Sequence, residues 1–97
     1  YLYFVREAPS PCYGHSGDGL LPFALTNAGA PVVVSTPSGT VLDSLDVTGW
    51  GFASGSAWGL NPAVLNAGAN DSEANWCSQS TPLGIDFGTP GADNDPC

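Results

Sequence analysis

The segment that decides the fold class of this chain is residues 30–47, APVVVSTPSGTVLDSLDV. Its first arm contains three consecutive valines, Val32 to Val34, and its second arm, residues 40–47, is also rich in strand-forming residues. Between the arms, residues 36–39 (TPSG) place Pro and Gly where a tight turn needs them. The segment therefore predicts a β-hairpin, and the valine run is typical of a strand buried on both faces.

The composition extends this prediction to the whole chain. Of 97 residues, 13 are Gly, 9 are Pro and 42% are hydrophobic. The apolar content is sufficient for a packed core, while the frequent turn-forming residues disfavour long helices. Because a chain of this length is too short for two domains, we expect residues 1–97 to form one all-β domain.

The charge balance argues against two classes of partner. One Lys or Arg stands against nine Asp or Glu, so the formal net charge is −8. Nucleic acids and anionic membranes both require a basic surface, and Arg6 is the single residue of these two basic types. No apolar run reaches the ~18 residues of a transmembrane helix. We expect neither nucleic-acid binding nor membrane insertion.

The segments outside the hairpin carry weaker signals. Residues 1–7 (YLYFVRE) predict a strand, and residues 8–20, with two Pro and three Gly, predict a long loop. A short helical turn is expected at residues 62–65 after Asn61, and a short strand or packed loop around Trp76. Residues 81–97 (TPLGIDFGTPGADNDPC) predict a tail interrupted by Gly and Pro.

The three cysteines, Cys12, Cys77 and Cys97, indicate an oxidising environment. We favour a disulfide between Cys77 and Cys97, which would tie the tail to the domain and contribute about 3 kcal/mol by loop entropy. Pairing of Cys12 with either of the others is the alternative. With an odd count, we expect Cys12 to be unpaired or to form an intermolecular bond, and the chain to be secreted, periplasmic or on the cell surface.

Three motifs occur in the second half of the chain: Leu60-Asn61-Pro62-Ala63, Asn75-Trp76-Cys77 and, at residues 86–94, DFGTPGADN. Together they resemble the end of a lamin tail domain. The middle of the chain, with LTNAG at residues 25–29 and SGTVLD at residues 38–43, also resembles this family, in its exported bacterial form. The resemblance implies an immunoglobulin-like β-sandwich in which Trp76 fills the core. It implies a non-catalytic structural or protein-interaction module, part of a larger surface or extracellular assembly.

The chain departs from the family pattern at its beginning. The opening strands of the family, with their acidic-hydrophobic signature, have no counterpart in the sequence. The resemblance therefore implies a sandwich lacking its N-terminal strands, which leaves backbone edges unpaired. We expect a protein partner, within an oligomer or a multi-subunit assembly, to supply such strands, and Cys12 to be a candidate tether. The alternative is that the local fold is rewired.

A second hypothesis concerns the tryptophans. Trp50 and Trp58 flank Gly-rich stretches and are candidate ligand-binding residues, because exposed indole rings can stack on sugars. A carbohydrate- or calcium-dependent binding module of a larger secreted enzyme is thus the alternative function.

The acidic residues indicate no catalytic site and no cofactor. Local acid pairs that could offer oxygen ligands to calcium occur at Asp71 with Glu73 and at Asp93 with Asp95. Neither pair has the EF-hand pattern, and we read both as solubilising surface. We expect no bound metal, and we expect the protein not to be an enzyme, since His15 lies in the loop without a nucleophile motif.

Overall fold

The computed structural model describes residues 4–5, 17–21, 23–24, 26 and 28–97. Its strands are β1 (Phe4–Val5), β2 (Gly19–Leu20), β3 (Pro31–Ser35), β4 (Val41–Asp46), β5 (Trp58–Leu60), β6 (Trp76–Ser78), β7 (Pro82–Leu83) and β8 (Asp86–Phe87). Short 3₁₀ helices occupy Pro62–Val64 and Glu73–Asn75, and the described residues contain no α-helix. The prediction of an all-β chain is confirmed.

The strands pair two by two. β1 pairs with β2 in parallel, and β3–β4, β5–β6 and β7–β8 are antiparallel pairs. Strand β2 falls inside residues 8–20, where a loop was predicted, and most of the strand predicted at residues 1–7 lies outside the described residues. Four separate pairs do not by themselves make two stacked sheets, so the sandwich stays a prediction.

The predicted hairpin is confirmed. Strand β3 pairs with β4 from Pro31 opposite Asp46 to Ser35 opposite Val41, with a β-bulge between Val34 and Ser35. The turn closes through hydrogen bonds from the Thr36 N–H to the Thr40 carbonyl at 2.8 Å and from the Gly39 N–H to the Thr36 carbonyl at 2.9 Å.

Burial of the valine run on both faces, in contrast, is wrong. Val32, Val33 and Val34 are 40%, 56% and 54% exposed. The valine pattern is typical of a central strand with neighbours on both sides, but β3 has one neighbour among the described strands. In the part of the chain that the structure describes, these valine side chains therefore stay in contact with solvent.

Gly29 brings the two arms close together where the hairpin begins. A Cβ at this position would collide with the Val47 carbonyl, and the backbone has φ +78°. Here the Gly49 N–H donates to the Ala28 carbonyl at 3.1 Å, which extends the pairing beyond β3 and β4. Only glycine accommodates both the contact and the left-handed backbone.

The last four strands join into one C-terminal unit, residues 56–97. Ser56 forms a parallel bridge with Phe87, and the Ala57 N–H donates to the Phe87 carbonyl at 2.9 Å. From the other side, the Gln79 N–H donates to the Ala57 carbonyl at 2.8 Å. Residue 57 thus connects the β5–β6 pair to the β7–β8 pair.

The predicted helical turn after Asn61 is present as the 3₁₀ helix Pro62–Val64. The Asn61 side chain caps it by accepting a hydrogen bond from the Ala63 N–H at 3.0 Å. The predicted short strand around Trp76 is β6. The part of the chain that the structure describes contains no helix with the length and apolar character needed to cross a membrane.

Candidate functional site

Four aromatic rings form a cluster between the hairpin and the C-terminal unit. Trp50 follows the turn after β4, and Trp58 and Trp76 begin the paired strands β5 and β6. The Trp50 ring centroid is 5.8 Å from those of Trp58 and Trp76, and Phe52 is 5.4 Å from Trp58. The rings meet at 42° to 75°, in the tilted and edge-to-face arrangements that aromatic pairs prefer.

This aromatic cluster forms one wall of an open groove of about 550 Å³. Val32 and Val47, from the two arms of the hairpin, also line the groove. The groove is therefore largely apolar, and an apolar side chain or ring of a ligand would lose contact with water by entering it.

The indole N–H groups of the cluster differ in their bonding. The Trp76 Nε1 donates to the Asn70 carbonyl at 2.8 Å, which fixes that ring. The Trp58 Nε1 is buried and has no acceptor among the described residues. Trp76 is thus held by packing and by a hydrogen bond, whereas no described residue accepts from the Trp58 indole.

The structure brings the two candidate ligand-binding residues, Trp50 and Trp58, into contact with each other. Both rings are half-buried, and their planes are tilted by 42°. A sugar-stacking platform needs a ring face open to solvent, and the more open ring at this groove is Phe52, which is 38% exposed. No motif in the sequence singles out Phe52.

The C-terminal unit is closed by a group of contacts that we call the clasp: the Cys77–Cys97 disulfide with Gln79, Asn94 and Asp95. The disulfide joins residues whose Cα atoms are 5.6 Å apart. This is the pairing that the sequence analysis favoured. Cys12, predicted to be unpaired or intermolecular, lies outside the described residues, as does His15.

Gln79 lies at the centre of the clasp and is 3% exposed. Its Oε1 accepts hydrogen bonds from the Asp95 N–H at 2.7 Å and from the Thr89 hydroxyl at 3.2 Å. Nearby, the Asn94 side chain donates to the Leu60 carbonyl at 2.9 Å. The tail is therefore bonded to β5 and β6 through side-chain amides, and a lone Gln offers no sequence signal of such a role.

The Asp95 carboxylate accepts four hydrogen bonds. They come from the backbone N–H groups of Ser80 and Thr81, at 2.6 and 2.8 Å, and from the two hydroxyls, at 3.2 and 2.6 Å. The Thr81 hydroxyl, followed by the two backbone donors, lowers the pKa of Asp95 to about 2. This carboxylate therefore binds two consecutive residues of the chain, Ser80 and Thr81.

In the other acid pair, Asp71 with Glu73, one carboxylate bonds to a distant segment of the chain. The Glu73 Oε1 accepts a hydrogen bond from the Gly51 N–H at 3.3 Å, and Asp71 is exposed. Across the described residues, no three His, Cys, Asp or Glu side chains come together in a way that could hold a metal ion.

The two carboxylates of β4 have local roles. The Asp43 Oδ1 accepts from the Ser44 N–H at 2.9 Å, and its Oδ2 accepts from the Asn70 side chain at 2.6 Å. The Asp46 Oδ1 accepts from the Thr48 N–H at 3.0 Å, and hydrogen bonds from the Thr48 side chain and backbone lower the pKa of Asp46. Successive strand positions alternate between faces, so residues 43 and 46 lie on opposite faces of the hairpin.

The β3–β4 hairpin also carries exposed apolar side chains on both of its strands. Besides the three valines of β3, Val41 and Leu42 of β4 are 58% and 63% exposed. Five apolar side chains of this two-stranded element are therefore exposed, with Val33 on the opposite face of the hairpin from Val32 and Val34.

Comparison of the chain with protein-family models, with curated proteins and with solved structures finds no match in any of the three. The candidate sites therefore rest on the groove, the clasp and the hairpin themselves.

Proposed function

We propose that this chain is an exported, non-catalytic protein-interaction module with the immunoglobulin-like sandwich architecture of lamin tail domains. It binds a protein partner through the β3–β4 hairpin, within a larger surface or extracellular assembly, and the partner adds strands to the sheet.

The observation that carries the proposal is the exposure of the hairpin. A strand of three valines at 40% to 56% exposure is costly to keep in water, since each buried apolar Å² is worth about 25 cal/mol. The partner would cover this surface. The C-terminal unit is stabilised by its own disulfide and hydrogen bonds. It therefore needs no partner to fold, and it can support a hairpin that is bound to one.

Two further features support the exported location and the family. The Cys77–Cys97 pair is at disulfide distance, which is compatible with an oxidising compartment. The GTPG segment at residues 88–91, which carries the lamin-tail resemblance, leads directly into Asn94 and Asp95 of the clasp.

Site-specific photo-crosslinking tests the proposed binding face. A benzophenone amino acid placed at Leu42 is expected to yield a crosslinked product of one defined mass in the extracellular fraction of a bacterium producing the chain. The same group at Ala92, which is exposed in the C-terminal unit, is the matched control. Equal yields from the two positions, or no product from Leu42, would contradict a partner on the hairpin.

The groove favours a second candidate function, the binding of a glycan. Trp50, Phe52 and Trp58 line it together, and aromatic rings can stack on sugar rings. Titration with soluble polysaccharides, followed by tryptophan emission, tests this. A saturable blue shift that is lost in Phe52→Ala would favour the glycan function, and an unchanged spectrum would remove it.

A further inference from the structure

The two edges of the β3–β4 hairpin are not equivalent, and the bonding pattern shows which one is open. Antiparallel pairs alternate between hydrogen-bonded pairs and pairs whose N–H and C=O groups point away from each other. The Gly49 N–H donates to the Ala28 carbonyl, in the same register as Val33 opposite Ser44. Counting in steps of two from Ala28 makes Val32 and Val34 hydrogen-bonded positions, so the Val33 N–H and C=O point away from β4.

The outer edge of β4 is already occupied by its own carboxylates. By the same alternation, the outward N–H groups on this side include those of Ser44 and Thr48. The Ser44 N–H donates to Asp43, and the Thr48 N–H donates to Asp46. Charged side chains on an edge prevent another strand from pairing there. This edge is therefore closed to an incoming strand.

The outer edge of β3 has no such protection. Strand β3 carries no charged residue, and no described strand lies on its other side. Its outward groups are the Pro31 carbonyl, the Val33 N–H and carbonyl, and the Ser35 N–H, flanked by valine side chains that remain exposed. An extended chain lying along β3 would satisfy these groups and cover the valines.

Charge determines the occupant of this edge. The chain has a net charge of −8, and the carboxylates of Asp43 and Asp46 lie one strand away from β3, one on each face. A strand added to β3 would run about 10 Å from them, two inter-strand spacings, which is close to the Debye length at physiological salt. A second copy of this chain would bring a further −8 and would be repelled, whereas a basic segment would be attracted.

The geometry points to a basic, valine-rich or similarly apolar extended segment of a partner protein, added as a third strand to the outer edge of β3. This inference rests on the proposed function and deepens it by naming the edge and the chemistry of the partner.

The test uses the full chain and three synthetic heptapeptides with blocked ends. The first alternates lysine and valine, the second alternates glutamate and valine, and the third is the lysine–valine peptide with proline at its centre. We expect the lysine–valine peptide, labelled for fluorescence anisotropy, to bind at least about tenfold more tightly than either of the others. Its binding should weaken as NaCl rises from about 20 to about 300 mM, because the attraction is between exposed charges.

The decisive variant is Val33→Pro. Because the Val33 N–H faces away from β4, proline at this position removes no β3–β4 hydrogen bond, and a strand edge tolerates it. We expect Val33→Pro to weaken lysine–valine peptide binding by about tenfold, since main-chain bonds to the peptide are lost. Val33→Thr, which keeps the N–H, should bind within about threefold of the native chain.

Val33→Lys keeps the test decisive if the proline variant does not fold. It retains the N–H but places a positive charge on the edge, so it should also weaken binding of the basic peptide. Unchanged binding by a folded Val33→Pro, equal binding of the glutamate–valine peptide, or no binding of the lysine–valine peptide to the native chain would each overturn the inference. Sedimentation showing self-association that Val33→Pro abolishes would overturn it in favour of a second copy. If the Leu42 crosslink persists in any of these cases, the proposed function stands and only the edge assignment fails.

Discussion

The hairpin and the C-terminal unit show two ways in which a chain of short strands can satisfy its backbone. The hairpin pairs five residues of β3 with β4 and leaves its valines exposed. The C-terminal unit has strands of two or three residues, yet it holds the disulfide and the buried side chain of Gln79.

The two regions differ in the sequence separation of the residues that their side-chain hydrogen bonds join. In the hairpin, side-chain bonds are mostly between residues close in sequence, such as Thr40 N–H to the Thr36 hydroxyl at 3.1 Å. In the C-terminal unit, Asp95 reaches back 15 residues to Ser80, and Asn94 reaches back 34 residues to Leu60. Contacts of this kind define a tertiary unit, whereas the hairpin is a local element whose apolar side chains stay exposed.

The largest expected effect is loss of the disulfide. Replacing both Cys77 and Cys97 with serine should lower the free energy of unfolding by about 3 kcal/mol, because a closed loop of 20 residues no longer restricts the unfolded chain. Urea unfolding of the two forms measures this. Cys12→Ser is the control, and a double variant no less stable than that control would contradict a stabilising role for the bond.

A smaller loss is expected from Gly59→Ala in β5. The added Cβ would collide with the Gln79 side-chain nitrogen and lie 2.8 Å from the Asn94 side-chain carbon, so the clasp must shift. Overpacking of this kind costs about 1–3 kcal/mol. Gly51→Ala, where a Cβ meets nothing within 4 Å, should leave the thermal midpoint unchanged. Equal midpoints for the two variants would contradict this prediction, because they would show that the clasp accommodates the added Cβ with no loss of stability.

The clasp should also make stability depend on acid pH. The pKa of Asp95 is lowered from 3.8 to about 2 in the folded chain, so folding favours the ionised carboxylate. Its stabilisation is fully present above pH 3.8 and is lost as the pH falls towards 2. Asp95→Asn should therefore flatten the fall of the thermal midpoint in this window. Asp93→Asn removes the same charge from an exposed neighbour, and if it flattened the curve equally, the effect could not be assigned to the four hydrogen bonds.

The smallest effects are expected on the hairpin. Val33→Thr and Leu42→Thr should each change the free energy of unfolding by less than about 0.5 kcal/mol, because both side chains are more than half exposed. Chemical denaturation checks this. Losses as large as that of Gly59→Ala would mean that the hairpin valines are covered in the isolated chain, which would remove the contrast between the two regions.

Local features were predictable because they depend on neighbouring residues. The TPSG turn, the hairpin arms and the cap at Asn61 involve residues at most a few positions apart. The clasp was not predictable to the same degree. The cysteine pair is visible in the sequence, but Gln79 and Asp95 have ordinary neighbours, and their roles depend on which strand ends the fold brings together.

The same reasoning explains the error in the burial of the valine run. Three valines predict a strand, but whether that strand is central depends on strands elsewhere in the chain or in a partner. Likewise, the sequence shows Asp95 only as one acid of an exposed pair, and its role becomes visible when the Ser80 and Thr81 donors are known.

By itself, the sequence determined the all-β class, the hairpin and its turn, because turn chemistry and strand composition act over a few residues. Only the tertiary structure decided that the three tryptophans share one cluster, that Asp95 binds residues 80–81, and that β3 has β4 as its single neighbour among the described strands. Those outcomes depend on contacts between distant segments, whose free energy is set by geometry that no local pattern encodes.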